Sequence, residues 1–371
     1  MRRKGGQERS GRVLVAGCGG NIGSQLMLHL ARMPGIECVT LVDPDVYEFK
    51  NLFSQNVTRD ELGRPKSTVQ AQRLGLLNPE IQVEDVVDHV ENTPMGKLRA
   101  DLIVGCLDNN GARLFLNEIS WHLGGIPYVD GGVLAEGCLA RVSVYMPGSD
   151  SPCLECAWDQ RDYDQVEQVR ACNPEGEKPA STNSPTFLGA LTASLQAVEC
   201  WKILSGQRHH AASGKQILID ALHHKHYVTR YRRNPQCRFG HEIWEIVKLK
   251  APPGQISLGE ALSLGPGHSG FSSPTTLRFA GMGIFVEKLI CPACKSQKAL
   301  VHLEHRLTQT LRACPNCGHP MLPGHNVAYK LEADRLTAQA FEQSLESLGF
   351  QSGDIFTISS PSGDHHYEVG D

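Results

Sequence analysis

Six cysteines of this 371-residue chain fall in Cys-x-x-Cys pairs, Cys153/Cys156, Cys291/Cys294 and Cys314/Cys317. Two thiolates at that spacing are half of a tetrahedral zinc site. The last two pairs, separated by 19 residues, therefore make one Cys₄ centre of the zinc-ribbon kind, with no coordination position left open for a substrate. Cys153 and Cys156 begin a second centre and leave open what completes it. A different chemistry lies in "RVLVAGCGGNIGS", where Gly17, Gly19, Gly20 and Gly23 join a strand-like run to a helix start. Free backbone N–H groups and the helix dipole favour a phosphate there. Asp43, twenty residues after Gly23 at the end of "CVTLVD", is the acid expected to bind ribose hydroxyls. These residues alone specify an adenine nucleotide and leave an ordinary NAD-binding turn open.

The elements that must position these groups follow from periodicity. Residues 12–150 alternate runs such as "ADLIVGCLD" and "IPYVDGG" with helical stretches such as "NNGARLFLNEISWHL". That alternation predicts an α/β fold, a doubly wound, Rossmann-like, mostly parallel sheet. "NSPTFLGALTASLQAVECWKILSG" reads as a buried helix with Ser184 as N-cap, Pro185 at its first position and Gly206 just past its end. "KQILIDALHHKHYVTRYRR" reads as strands. Residues 251–275, rich in Pro, Gly and Ser, read as a linker holding a short helix in "SLGEALSLG". They divide a domain of residues 1–250 from a smaller α+β zinc-ribbon module of residues 276–371. After the ribbon a strand, a helix and a strand are expected, with Leu336, Phe341, Leu345 and Leu348 as the helix's core stripe. Cys18, Cys106 and Cys200 read as packing residues.

A formal net charge of −4 gives no basic footprint for nucleic acid, so small-molecule or protein partners are favoured. The absence of an apolar leader segment and of any run of 18 apolar residues predicts a cytoplasmic chain that does not enter a membrane. Thirteen cysteines without a leader favour metal ligation over disulfides.

Directly after Asp43 comes "DPDVYEFKNLFSQNVTRDELGRPK", and a later strand ends in "CLDNNGARLFLN". With the glycine turn, "EGCLARVSVYMPGSDSPCLEC" and "GALTASLQAVECWKIL", these segments resemble, in order, the ThiF/MoeB/HesA family, which includes the ubiquitin-activating enzymes. The resemblance covers residues 12 to about 245. It implies adenylation of the C-terminal glycine of a ubiquitin-like protein by ATP and Mg²⁺. By match of motif, Lys66 would neutralise the phosphates, Asp108 would hold Mg²⁺, Asp43 would take the ribose, and Asn51, Gln55 and Asp45 would contribute to the nucleotide site. Arg113 and Asn117 recur in the family one helix turn apart. Where the family supplies a second Cys-x-x-Cys, this chain reads "RRNPQCRFGH", so Cys237 and His241 would close a Cys₃His site with Cys153 and Cys156, giving two structural Zn²⁺ sites per chain. Cys172, in the segment crossing over the adenylate, stands where family members that form a thioester carry their nucleophile.

The chain departs from the family in three places. Its glycine turn is one residue longer, Ser54 stands where a phosphate-binding arginine is expected, with Arg59 or Arg64 as substitutes, and the N-terminal arginine-bearing helix is missing or reduced. The leading expectation is activation of a ubiquitin-like protein, passed through Cys172 to a conjugating enzyme. The alternative within the class is a sulfur-carrier adenylyltransferase for thiamine or molybdopterin synthesis. A homodimer follows from the family, and the C-terminal module would dock a partner. Outside the class stand an NAD-dependent oxidoreductase, which leaves Lys66 and Asp108 without a task, and a nucleotide-binding scaffold.

Overall fold

The computed structural model describes residues 11–172, 184–264, 275–281, 283–324 and 327–371, with side chains described except at 167–172. They form two compact units, Met1–Val90 with Leu98–Ile243, and Glu91–Lys97 with Trp244–Asp371.

The first unit is built on β1 (Gly11–Ala16), β2 (Ile36–Val42), β3 (Gln82–Val86), β4 (Leu102–Gly105), β5 (Tyr128–Leu134), β6 (Leu139–Tyr145), β7 (Lys215–Asp220) and β8 (Lys225–Arg230). They make one sheet in the order β3-β2-β1-β4-β5-β6-β7-β8. Pairings from β3 to β5 are parallel, and those from β5 to β8 antiparallel. The helices are α1 (Gly23–Leu30), α2 (Lys66–Leu77), α3 (Asn110–His122), α4 (Gln160–Cys172) and α5 (Thr186–Leu204). Val13, Leu14, Val15, Leu102, Ile103 and Val104 are all buried, as strands covered on both faces require. From β1 the chain builds outward to β2 and β3, then returns to place β4 on the other side of β1. That reversal opens a crevice at the carboxyl ends of β1 and β4, where α/β sheets bind ligands.

α5 begins at Thr186, one residue later than the sequence signals, with Pro185 extended at the N-cap position. Its sides are not all buried, because Phe187, Val198 and Trp201 remain exposed. Gly206 takes the left-handed conformation just beyond its end, at φ 78°.

The second unit contains β9 (Ile246–Lys248), α6 (Leu258–Leu262), β10 (Thr276–Phe279), β11 (Phe285–Ile290), β12 (Gln297–Leu303), α7 (Gln309–Arg312), β13 (Leu322–Pro323), β14 (Val327–Ala328), β15 (Leu331–Glu332), α8 (Ala338–Phe341), β16 (Ile355–Ser360) and β17 (Gly363–Glu368). A five-stranded sheet runs β15-β10-β16-β17-β9, and β11 pairs with β12, β13 and β14 in a smaller one. Two expectations change here. The stretch expected as a linker begins inside this unit, since Ile256, Leu258, Ala261 and Leu262 are buried in its core. A Ser257–Glu260 capping box starts α6. Polar composition had masked four apolar residues.

The continuous helix expected after the ribbon is broken. α8 is four residues long and starts on a Thr337 cap. Beyond it the Leu345 N–H bonds the Ile256 carbonyl, which pulls the chain off helical geometry. Phe341 at the end of α8, and Leu345 and Leu348 at the later turn Glu346–Leu348, reach the core all the same.

Two buried polar contacts hold this unit. The Arg306 guanidinium faces Asp354 (Nη2 to Oδ1 2.8 Å) and also donates to the Gly349 carbonyl at 2.9 Å. His366 is stacked on Trp244 at 4.0 Å between ring centroids, with Nδ1 2.9 Å from the Thr357 hydroxyl. Burial pushes the His366 imidazole down to about 4; Arg278 and His365 push the same way, and Asp364 opposes them. The unfolded chain, at an ordinary pKa of about 6.5, then binds more protons than the folded one across that window. Stability of this unit should therefore fall as pH drops from about 6.5 towards 4, and His366→Phe should flatten the fall. Urea unfolding midpoints at pH 7 and 4.5 check this; equal losses in both proteins would refute it.

Candidate nucleotide site and cysteine clusters

The glycine turn leaves the end of β1 at Gly17, whose φ of 77° is left-handed. A Cβ there would stand 2.5 Å from the Cys106 carbonyl oxygen, so only glycine lets the β1 and β4 ends approach this closely. A Cβ on Gly19 would overlap the Lys66 side chain, at 2.3 Å. The lysine stem thus lies directly against the turn.

Four of the expected residues converge at this point. The Gly19 N–H donates to Asp43 Oδ2 at 2.9 Å, and the Asp45 N–H donates to Asp43 Oδ1 at 3.1 Å. Lys66 Nζ is 3.2 Å from Asp45 Oδ2. Asp43 is buried; burial pushes its carboxyl up, while Lys66 and the two N–H groups pull it back. Lys66 is a buried cation in the first turn of α2, where the helix dipole disfavours positive charge.

Asp108 is exposed just beyond the carboxyl end of β4, two residues after the Cys106 carbonyl that contacts Gly17. Asn51 and Gln55 lie along the short turn Phe49–Phe53 and its exit. Asn51 is buried and accepts the Glu48 N–H at 2.7 Å. Gln55 Oε1 is buried without a hydrogen-bond partner. Gly20 and Gly23 complete the turn, and a Cβ on Gly23 would fall 2.3 Å from the Gly17 carbonyl oxygen.

Neither substitute for the missing arginine fills the place of Ser54, which is buried. Arg59 is exposed, and Arg64 bonds Gln72. The guanidinium that does reach this segment belongs to Arg73, which bonds the Asn56 carbonyl and pairs with Glu61 at 2.5 Å.

Several residues of the site went unread. Tyr47 donates its hydroxyl to the Gly19 carbonyl at 3.1 Å and receives Gln70 Nε2 at 2.6 Å. The Gly19 peptide is therefore held at both ends. Asp130, fully buried on β5, receives Arg113 Nε at 3.1 Å, Arg141 Nη1 at 2.9 Å and the Tyr128 hydroxyl at 3.1 Å. An acid inside the apolar run "IPYVDGG" was the available signal. Arg113 and Asn117, one helix turn apart, turn to different tasks. Asn117 accepts the Leu154 N–H at 3.1 Å and so braces the turn carrying Cys153 and Cys156.

The ligand atoms of Cys153, Cys156, Cys237 and His241 all lie within 4.8 Å of one another, as do those of Cys291, Cys294, Cys314 and Cys317. Zn–S bonds of about 2.3 Å in a tetrahedron place sulfurs about 3.8 Å apart. Here Cys153 Sγ is 3.8 Å from Cys156 Sγ and 3.7 Å from Cys237 Sγ. In the second cluster Cys291–Cys317 is 3.5 Å and Cys294–Cys314 3.6 Å. Both donor sets fit zinc in kind and in spacing. His241 reaches its cluster from a left-handed backbone, φ 57°, with Nε2 3.1 Å from Cys156 Sγ and its ring against Trp121.

Cys172 is the last residue of α4, and its side chain lies outside the described residues. Cys18, Cys106 and Cys200 are buried, and burial pushes their thiols well up, which leaves them unreactive. Among the described residues no helix is long and apolar enough to cross a membrane.

Residues 4–239 match a family model described as the ThiF family. The chain is 30% identical over 242 residues to the SAMP-activating enzyme E1 of Haloferax volcanii, covering 62% of this chain and 81% of that protein. It is 32% identical over 243 residues to the sulfur carrier protein adenylyltransferase of Thermus thermophilus, covering 62% and 83%. The molybdopterin-synthase adenylyltransferase of Escherichia coli is 30% identical over 237 residues, covering 62% and 88%. The solved structure of the microcin C7 biosynthetic enzyme MccB with N-formylated MccA superposes with a TM-score of 0.51 at 25% identity, covering 62% of this chain and 67% of that one. The chain thus spans about two thirds of the length of the solved structure it matches.

Proposed function

The chain belongs to the ThiF family and is an adenylyltransferase, and from that premise we propose that it adenylates the C-terminal glycine of a small sulfur-carrier protein. The observation that carries this reading is the buried Lys66 lying against Gly19 of the turn, with Asp43 and Asp45 around it. An oxidoreductase gains nothing from a lysine buried there. In the reaction a carboxylate oxygen of the carrier attacks the α-phosphorus of ATP. The bond to the β-phosphate oxygen breaks, and pyrophosphate leaves with the electron pair. Anion meets anion in this step, so positive charge fixed beforehand lowers the barrier. Lys66 supplies that charge, the turn's N–H groups orient the phosphates, and Asp43 and Asn51 hold the nucleoside. Asp108 is the carboxylate that would hold Mg²⁺, a cation commonly bound by one or two carboxylates and substrate phosphates, and the bound ion would supply charge to offset that of the leaving pyrophosphate. Zinc in the two cysteine clusters would be structural, as no coordination position remains open.

ATP–pyrophosphate exchange with a panel of sulfur-carrier proteins tests the reading. Exchange should require a carrier, disappear when its C-terminal glycine is removed, and be lost in Asp108→Ala. No exchange with any carrier would refute it. The SAMP-activating relative supports a second reading, in which the carrier is a conjugated modifier passed through Cys172. A carrier adduct reducible by thiols and absent in Cys172→Ala distinguishes that reading from adenylation alone.

A further inference from the structure

The glycine turn, one residue longer than the family's, makes a long-range contact through Asn21. Asn21 Nδ2 donates to the Ser184 carbonyl at 2.9 Å and to the Pro185 carbonyl at 3.2 Å, across more than 160 residues of sequence. These two peptides lead directly into α5. The junction is tight: a Cβ on Gly189, in the first turns of α5, would fall 2.1 Å from Asn21 Oδ1 and 2.6 Å from the Asn21 backbone oxygen. A second contact joins the same end of α5 to the segment bearing Ser54, where the Thr186 hydroxyl donates to the Ser54 carbonyl at 3.5 Å. The start of α5 is thus fastened to both strands of chain that frame the nucleotide site.

We propose that Asn21 is a positioning residue that ties the phosphate-binding turn to the chain entering α5, so that a nucleotide in the turn fixes the place of Ser184 and Pro185. An amide suits this task because its two N–H bonds can address two successive carbonyls at once, which a hydroxyl cannot do. The turn itself does not depend on the contact. Gly19 is held by Asp43 and Tyr47, and Gly17 and Gly23 are fixed by close packing. Loss of the tie therefore leaves nucleotide affinity nearly intact and frees Ser184 and Pro185 from the turn. The catalytic part of this inference rests on the adenylation reading; the coupling part does not.

Three variants and two measurements test it. Asn21→Ala removes the donors, and Asn21→Asp keeps the shape while turning a carboxylate towards two carbonyls. Gly189→Ala parts α5 from the turn without altering Asn21, and does so with a residue that helix interiors prefer to glycine. Amide hydrogen exchange of the peptide covering residues 184–190 is measured with and without Mg·ATP. ATP should slow exchange there in the natural protein and not in the variants. In carrier-dependent pyrophosphate exchange, kcat should fall about 10- to 100-fold with KM for ATP within about twofold, the pattern of lost positioning. If Asn21→Asp behaves as the natural protein, if all variants retain ATP protection, or if the natural protein shows none, the inference is overturned. Should the natural protein catalyse no pyrophosphate exchange while ATP protection still depends on Asn21, the tie stands and the adenylation reading fails.

Discussion

Lys66→Ala should lower carrier-dependent pyrophosphate exchange by about 10²–10³-fold, the loss typical of removing one preorganised charge from a transition state. The protein should nonetheless keep its fold. The lysine stands in the first turn of α2, where the helix dipole opposes its charge, and its side chain is taken out of water against Gly19. Both costs vanish with the substitution. Against that, Asp45 loses its partner at 3.2 Å, although its carboxylate is partly exposed and solvent can take over. Asp43 loses the nearby positive charge but keeps the Gly19 and Asp45 N–H groups. The opposing terms are each near 1 kcal/mol, so the thermal midpoint should move by no more than about 2–4 °C. Activity and midpoint are measured on the same preparation. Full exchange activity in the variant would remove Lys66 from the reaction, and a collapse of the midpoint would make it a structural residue.

Metal content is the second large effect. Elemental analysis should find two zinc ions per chain. Cys237→Ala or His241→Ala should leave one, held by Cys291, Cys294, Cys314 and Cys317, and Cys314→Ser should leave the other. The sulfur separations of 3.5–3.8 Å are close to the edge of a tetrahedron of zinc ligands. Three thiols and an imidazole converging beside Trp121 and braced by Asn117 would gain stability from the ion. Losing it removes several kcal/mol from the first unit and should lower its thermal midpoint on the order of 10 °C. A single zinc that survives both Cys237→Ala and His241→Ala would make Cys153 and Cys156 a remnant.

What could be read from sequence was what acts locally or by spacing. Gly17, Gly19 and Gly23 announce a close approach because any side chain would forbid it. Asp43 and Lys66 stand at fixed offsets from that turn, and the order of motifs placed them in one site. Tyr47, Gln70 and Asn21 were not legible, because their chemistry depends on partners 23 to 164 residues away and their types are ordinary. Asp130 carried a signal, an acid in an apolar strand, but nothing named Arg113 and Arg141 as its counterions. In the second unit composition misled. Pro and Gly around residues 251–264 hid Leu258 and Leu262, and a helical stripe at Phe341, Leu345 and Leu348 was satisfied by two short turns. Periodicity shows which residues seek the core, not how the chain delivers them.

The seven residues Glu91–Lys97 belong to the second unit, though the rest of that unit begins at Trp244. Within it the Gly96 N–H bonds the Gly353 carbonyl at 2.8 Å. During synthesis at about 5–20 residues per second, Gly96 leaves the ribosome roughly 10–50 s before that partner exists. The nascent chain must therefore build the sheet on both sides of this segment while holding it unspent, and the second unit can be completed only when the last strands have been made.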